Sequence, residues 1–394
     1  MGLKAVSRFQ PAKAPEKPDL VFLREGNLLY GEGIALRLSA KGVNRIQELS
    51  TAWQELVQQS EIDDQVGLAG SGLMAFASIT FSGDSEFESV LVVPARLTVI
   101  REGVSFVTEV APVSDSIETR PVSGVFFAGE LSASGFVSAT QEAIRRIEQT
   151  ELEKVVLARD LVMPLSGNPD MAPVISRLHN RYPHCWTYLI EGNFGASPEL
   201  LLRAESGEVS ARVLAGTAGR GTDPDVDRAI ADGLAHSSKN KHEHDYAVQS
   251  LIQELTPVCD DLEADQKPFS LALPDLWHLA SDVRGKLKAG VTLLDAIARL
   301  HPTAAVAGTP RTLAEQTIAE LEPFDRGGYA GPIGWISADG SGELAIALRG
   351  GRVEQDPWQL RAFAGCGIVA ESDPQAELAE TELKFKAVRY ALSD

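Results

Sequence analysis

The sequence predicts an α+β fold built on large antiparallel sheets, and three observations carry that expectation. Strand-like and helix-like segments come in irregular runs, not in strict βαβ alternation. Gly72–Phe81, Ser89–Ile100 and Val104–Val110 are β-rich and separated by turn residues, the pattern of an antiparallel meander. Four further apolar strands fall between Leu276 and Phe363, after the helical segments of the middle of the chain.

In order along the chain, residues 1–19 hold several Lys and Pro but no apolar signal core. They read as a loose arm ahead of one folded unit over 20–394. Leu20–Leu38 looks like a strand pair turning at Gly26-Asn27. Ile46, Leu49, Trp53, Leu56 and Val57 then recur at helical spacing. Gln141–Gln149 reads as helix and Lys154–Val162 as strand. Met171–Asn180, Pro224–Leu234 and His242–Leu255 are predicted helices. Strands are expected at Trp186–Ile190, Leu200–Ala204, Val209–Leu214, Leu276–Ser281, Gly331–Ser337, Glu343–Leu348 and Gln359–Phe363. No repeat, linker or low-complexity tract divides the chain.

Composition narrows the function. Of 394 residues, 44% are apolar, enough for a sizeable core. The net charge of -19, from 36 basic and 55 acidic residues, argues against nucleic acid and anionic membranes as partners. An anionic small molecule needs local cations or a metal to offset that field. No apolar run approaches the roughly 18 residues of a membrane span. Cys185, Cys259 and Cys366 lie far apart with no CxxC, which suits a reducing cytoplasm.

The most informative stretch is Phe363–Lys386. It reads as an apolar strand, a glycine turn at Gly365 to Gly367, and a helix opening at Asp373-Pro374. Aspartate caps helix nitrogens and proline suits the first turn. Glu380 and Lys384 are four apart and share one helix face. On spacing alone a solvated ion pair is the ordinary reading. The neighbouring glycines favour a ligand site, because they let backbone N–H groups approach closely. Glu243 lies in line with Ala247 and Leu251 on its helix and is a candidate buried ligand. His242 and His244 are only two apart, so a zinc pair on one helix face is not supported. Carboxylate-only ligation suits magnesium, with Glu243 and Glu380 as the donors. Leu214–Gly221 lacks the phosphate-loop ending and is not read as a nucleotide site, although Gly216 and its neighbours can present N–H groups to a carboxylate.

Lys154 and Glu199 each stand at the start of an apolar strand. Each is more ordinary as a solvated strand-end residue, and each becomes a candidate proton-transfer group if buried. A lysine base is demanding. An ordinary lysine is neutral at pH 7 only about 0.04% of the time, so roughly 4 kcal/mol of environmental bias is required. His301, Tyr329 and Arg349 are further polar residues beside strands, and with Lys384 they would form an anion-binding wall.

These stretches, in this order, resemble the chorismate-utilising enzymes: Glu153–Arg159, Ser197–Arg203, Leu214–Ala218, His242–His244, His301–Ala305, Tyr329–Gly334, Ala347–Arg349 and Ala364–Lys384. The resemblance covers about residues 135–394, and the earlier part shares only its β-rich style. It implies two large antiparallel sheets packed face to face, with helices outside. Lys154 is similar to the lysine of the water-using branch, the isochorismate synthases; ammonia-using branches carry a small residue there. The resemblance therefore implies magnesium held by Glu243 and Glu380, Lys154 as general base and Glu199 as general acid. It further implies that Gly216 and Thr217 hold the ring carboxylate. Tyr329, Arg349, Lys384 and the Gly365–Gly367 backbone would hold the enolpyruvyl carboxylate, with His301 near the ring. It suggests a monomer with no glutaminase subunit. Salicylate synthase, and a non-catalytic chorismate-binding subunit, are the alternative expectations.

Overall fold

The computed structural model describes residues 2–113 and 118–393, apart from the side chains at positions 238–240, 242 and 243. The α+β class and the antiparallel pairing are as expected. The strands expected in separate sheets, however, join into one continuous network of 21 among the described residues. The network folds over on itself. One layer runs from Leu276–Leu287 through Glu208–Gly219, Leu200–Glu205, Gly342–Ile346 and Pro332–Ser337 to Met74–Ser78. The other runs from Leu20–Arg24 through Trp186–Ile190, Asn193–Ser197, Gly350–Gln355 and Trp358–Ile368 to Lys154–Pro164. Asn27–Ala40 and Ser89–Arg101 join the two.

Period-2 alternation explains why the layers meet. Inward residues of Leu20–Arg24 and Trp186–Ile190 (Leu20, Phe22, Trp186, Tyr188) bury against Phe76, Ile333 and Trp335 of the facing layer and Val92 of the joining strand Ser89–Arg101. Helices cover the outer faces. Ala133–Gln149 begins well before the expected Gln141, because Ser132 caps it by accepting from the Gly135 N–H at 3.1 Å. The N-terminal arm is corrected over part of its length. Lys4–Phe9 is a strand paired with Glu61–Asp64 and Val104–Glu109, with Ala5 and Ser7 fully buried on one face.

A buried ion pair fixes the strand that carries Lys154. The Arg326 guanidinium donates to both oxygens of Glu322, at 2.8 and 2.6 Å, and both side chains are at most 3% exposed. Arg326 also donates to the carbonyls of Val156 (2.8 Å) and Val306 (3.0 Å), and Glu322 accepts from the Ala158 N–H (2.7 Å). Strand Lys154–Pro164 and the 301–307 segment are thereby clamped to one point. Removing the carboxylate would leave an unpaired buried guanidinium. Glu322→Ala is expected to lower the unfolding free energy by about 3–5 kcal/mol in urea titration. An unchanged midpoint would remove the pair from this role.

Candidate active site

One cavity of about 210 Å³ gathers residues from nine separate stretches of chain. Lys154 and Val156 line it together because residues two apart in a strand share a face. Across the antiparallel register, Gly367 lies opposite Val156 and Gly365 opposite Ala158, so the expected glycine turn is in fact strand. The absence of side chains there is required. A Cβ on Gly365 would lie 2.7 Å from the Leu157 carbonyl. The helix Pro374–Leu392 follows, capped by Asp373 as expected, and brings Glu377, Glu380 and Lys384 to the cavity.

Glu199 is 6% exposed in the cavity wall, in the short connection between Asn193–Ser197 and Leu200–Glu205. Burial pushes its carboxyl up to about 8, against the opposing pull of Lys154, Lys384 and Arg349. It is therefore largely protonated at neutral pH. Thr217 and Gly216 sit at a bulge in the pairing of Glu208–Gly219 with Leu276–Leu287, and Gly216 adopts φ +79°, which glycine tolerates. Tyr329 stacks on Phe363 at 4.9 Å, and burial raises its phenol to about 12. Arg349 is held at φ +54°, a left-handed conformation uncommon outside glycine, and such strain concentrates at functional sites. Lys384 pairs with Glu380 at 2.7 Å and donates to the Gly365 carbonyl at 2.7 Å.

The structure thus brings Lys154, Glu199, Gly216, Thr217, Tyr329, Arg349, Gly365, Gly367, Glu380 and Lys384 to one cavity. His301 is not among its lining residues. It caps the helix Leu293–Leu300, packs edge-on against Phe81 at 5.9 Å, and bonds through Nε2 to the Phe81 carbonyl at 2.9 Å. Burial lowers it to about 3, so it is a neutral core histidine. The Glu243 side chain lies outside the described residues.

Residues not singled out from sequence also line the cavity. His278 stands opposite Thr217. The Arg349 guanidinium is donor-only and lies 3.0 Å from His278 Nε2, so that nitrogen accepts and the proton sits on Nδ1. Nδ1 then faces the Gly216 carbonyl (3.3 Å) and the Thr217 hydroxyl (3.2 Å). Burial, reinforced by Arg349 and Lys384, holds the ring well below its usual range and keeps it neutral. A histidine at an inward position of the Leu276–Leu287 alternation was the available signal. Glu377 lies three residues before Glu380 on one helix face, and burial raises its carboxyl. Two carboxylates so placed, in a wall that also carries Arg349, Lys384 and Lys154, suit an anion together with a hard cation. Among the described residues no cluster of three or more potential metal ligands occurs.

The sequence profile described as chorismate binding enzyme matches residues 113–393. The chain belongs to the chorismate-binding enzyme family. The isochorismate synthase MenF of Bacillus subtilis is 36% identical over 269 residues, covering 67% of this chain and 57% of that protein. The matched part thus spans little more than half the length of that relative. A salicylate biosynthesis isochorismate synthase of Pseudomonas aeruginosa is 31% identical over 96% of this chain and 84% of its own. The fold matches the crystal structure of a candidate 2,3-dihydroxybenzoate-specific isochorismate synthase, DhbC, from Bacillus anthracis. The TM-score is 0.81 and the identity 28%, covering 96% of this chain and 97% of that one. No helix among the described residues is long and apolar enough to cross a membrane.

The Glu199 carboxyl gives a pH test. Its folded pKa lies above its unfolded value, so the folded state binds the proton more tightly. That contribution is full below about pH 4.5 and is lost as pH rises through about 8. Glu199→Gln, which stays neutral, should gain on the native protein by about 4 kcal/mol between pH 5 and pH 9. Urea titrations at the two pH values read the difference directly, and equal pH slopes for the two proteins would contradict the assignment.

Proposed function

We propose that this chain is an isochorismate synthase, which converts chorismate to isochorismate by adding water at ring carbon 2 and expelling the hydroxyl from carbon 4. The observation that carries the reading is a lysine and a buried, largely protonated glutamate on the wall of one cation-rich cavity. Both proton-transfer groups that the reaction needs are there, and both face a site shaped for a dianion.

In this reading Arg349, Tyr329, Lys384 and the Gly365–Gly367 backbone hold the enolpyruvyl carboxylate, while the Gly216–Thr217 bulge holds the ring carboxylate. The neutral His278 ring accepts from Arg349 and fixes its guanidinium. Lys154 takes a proton from the attacking water. Glu199 gives its proton to the departing hydroxyl, and the ring double bonds shift. Glu380, with Glu243 and Glu377, would hold magnesium, which supplies charge neutralisation to the ring carboxylate when bound. In this reading the chain works without a glutaminase, because water rather than ammonia is the nucleophile, and acts as a soluble monomer of the cytoplasm. His301 has a structural role in this scheme.

Lys154→Ala and Glu199→Gln should each lower kcat by about 10²–10⁴-fold with chorismate and magnesium, while circular dichroism stays native. Full activity in either variant would remove that residue from the mechanism. Chelation with EDTA should abolish turnover and excess magnesium restore it; turnover unchanged in chelator would refute metal dependence. Product chromatography decides between the alternatives. Fluorescent salicylate without an added lyase would assign the chain as a salicylate synthase, and no product at all would favour a binding subunit.

A further inference from the structure

We propose that Glu199 regains its proton through a second, smaller void behind the active cavity, and that the Thr303 hydroxyl positions the water that delivers it. The inference rests on the assignment of Glu199 as general acid. Each turnover consumes one water and releases one, but it leaves Lys154 with an extra proton and Glu199 without its own. One proton must leave the lysine and one must reach the glutamate before the next cycle. The product lies between the two groups, so a separate entry to Glu199 allows the proton to return while the cavity is still filled.

Glu199 and Ala305 line both spaces and so form the partition between them. The second void measures about 20 Å³. That is room for one water, provided the water finds two or more polar partners. Thr303, Ser250 and Glu254 also line it. The Thr303 hydroxyl is buried and has no hydrogen-bond partner among the described residues, a state that proteins seldom leave unexplained. The segment is held in place, since the Thr303 carbonyl accepts from the N–H groups of Val306 (3.1 Å) and Ala307 (2.9 Å). The hydrogen bonds of Glu199 to described residues run through its backbone, which leaves its carboxyl for such a water. At the outer end Glu254 pairs with Arg311 at 3.2 Å, each about one-third exposed, so solvent reaches the far side. A proton passes from solvent to the water, and from the water to the Glu199 carboxylate. The matching proton leaves Lys154 through the main cavity.

The test uses Thr303→Val, which keeps the shape and removes the hydroxyl, with Thr303→Ser as the conservative rescue. Kinetics with chorismate and magnesium are measured in H₂O and D₂O. Thr303→Val should lower kcat by about tenfold with an unchanged KM and an enlarged solvent isotope effect on kcat. Thr303→Ser should restore both. Native kcat and isotope effect in Thr303→Val overturn the route, as does Thr303→Ser being equally impaired, which marks a packing defect. If Thr303→Val does not fold, Ser250→Ala carries the same expectation, and a native isotope effect there overturns the route. Should Glu199→Gln prove active, the general-acid reading itself fails. An inactive Glu199→Gln beside an unaffected Thr303→Val rejects the relay alone.

Discussion

The Glu322–Arg326 pair is the constraint on which the cavity depends. Two opposite charges removed from water are costly unless every donor and acceptor is used. Here they are used on the backbone of the strand that carries Lys154 and on the segment that carries Thr303, Ala305 and Val306. Arg326 itself faces the cavity. The same two side chains therefore set the distance between the lysine wall and the opposite wall. The polar core is part of the geometry of the site, not an addition to it.

The electrostatics follow from that enclosure. A chain of net charge -19 repels anions at long range. Inside the cavity Arg349 and Lys384 supply local positive charge, while burial keeps Glu199 largely uncharged at neutral pH. His278 adds no charge: burial above all, reinforced by the donor-only guanidinium beside it, keeps its ring neutral. A protonated imidazole would compete with Arg349 for the same space. In the proposed reading the wall is thus cationic where a carboxylate rests and protonated where the hydroxyl leaves.

Much of this was legible in the residues. Alternation placed most strands, and helical spacing placed Ile46–Leu56 and the Asp373-capped helix. The helices Leu293–Leu300 and Arg311–Leu321 were not marked, although the first opens with a reciprocal cap between Thr292 and Asp295. Lys4–Phe9 was hidden by its Lys, Ser and Arg, because a short strand between two partners needs only Ala5 and Ser7 inward. His301 was misplaced for a related reason. A histidine beside a strand carries no mark of which side it faces, and Phe81, which claims it, lies 220 residues away. Glu377 is ordinary in sequence and becomes notable only when the fold sets it beside Glu380, and the inward position of His278 gained its meaning when the fold set it against Arg349.

The two layers are threaded through each other along the chain. Met74–Ser78 pairs with Pro332–Ser337, and Leu20–Arg24 pairs with Trp186–Ile190. The motif-poor first third therefore supplies one strand to each layer of the motif-rich remainder and the two strands that join them. Its part in the scaffold rests on an inward face that is mostly apolar, with a few buried hydrogen bonds such as Ser7 to Thr108. Exchange of whole segments with other proteins would tear the weave at several seams at once, so diversification of this architecture must proceed by substitution within it.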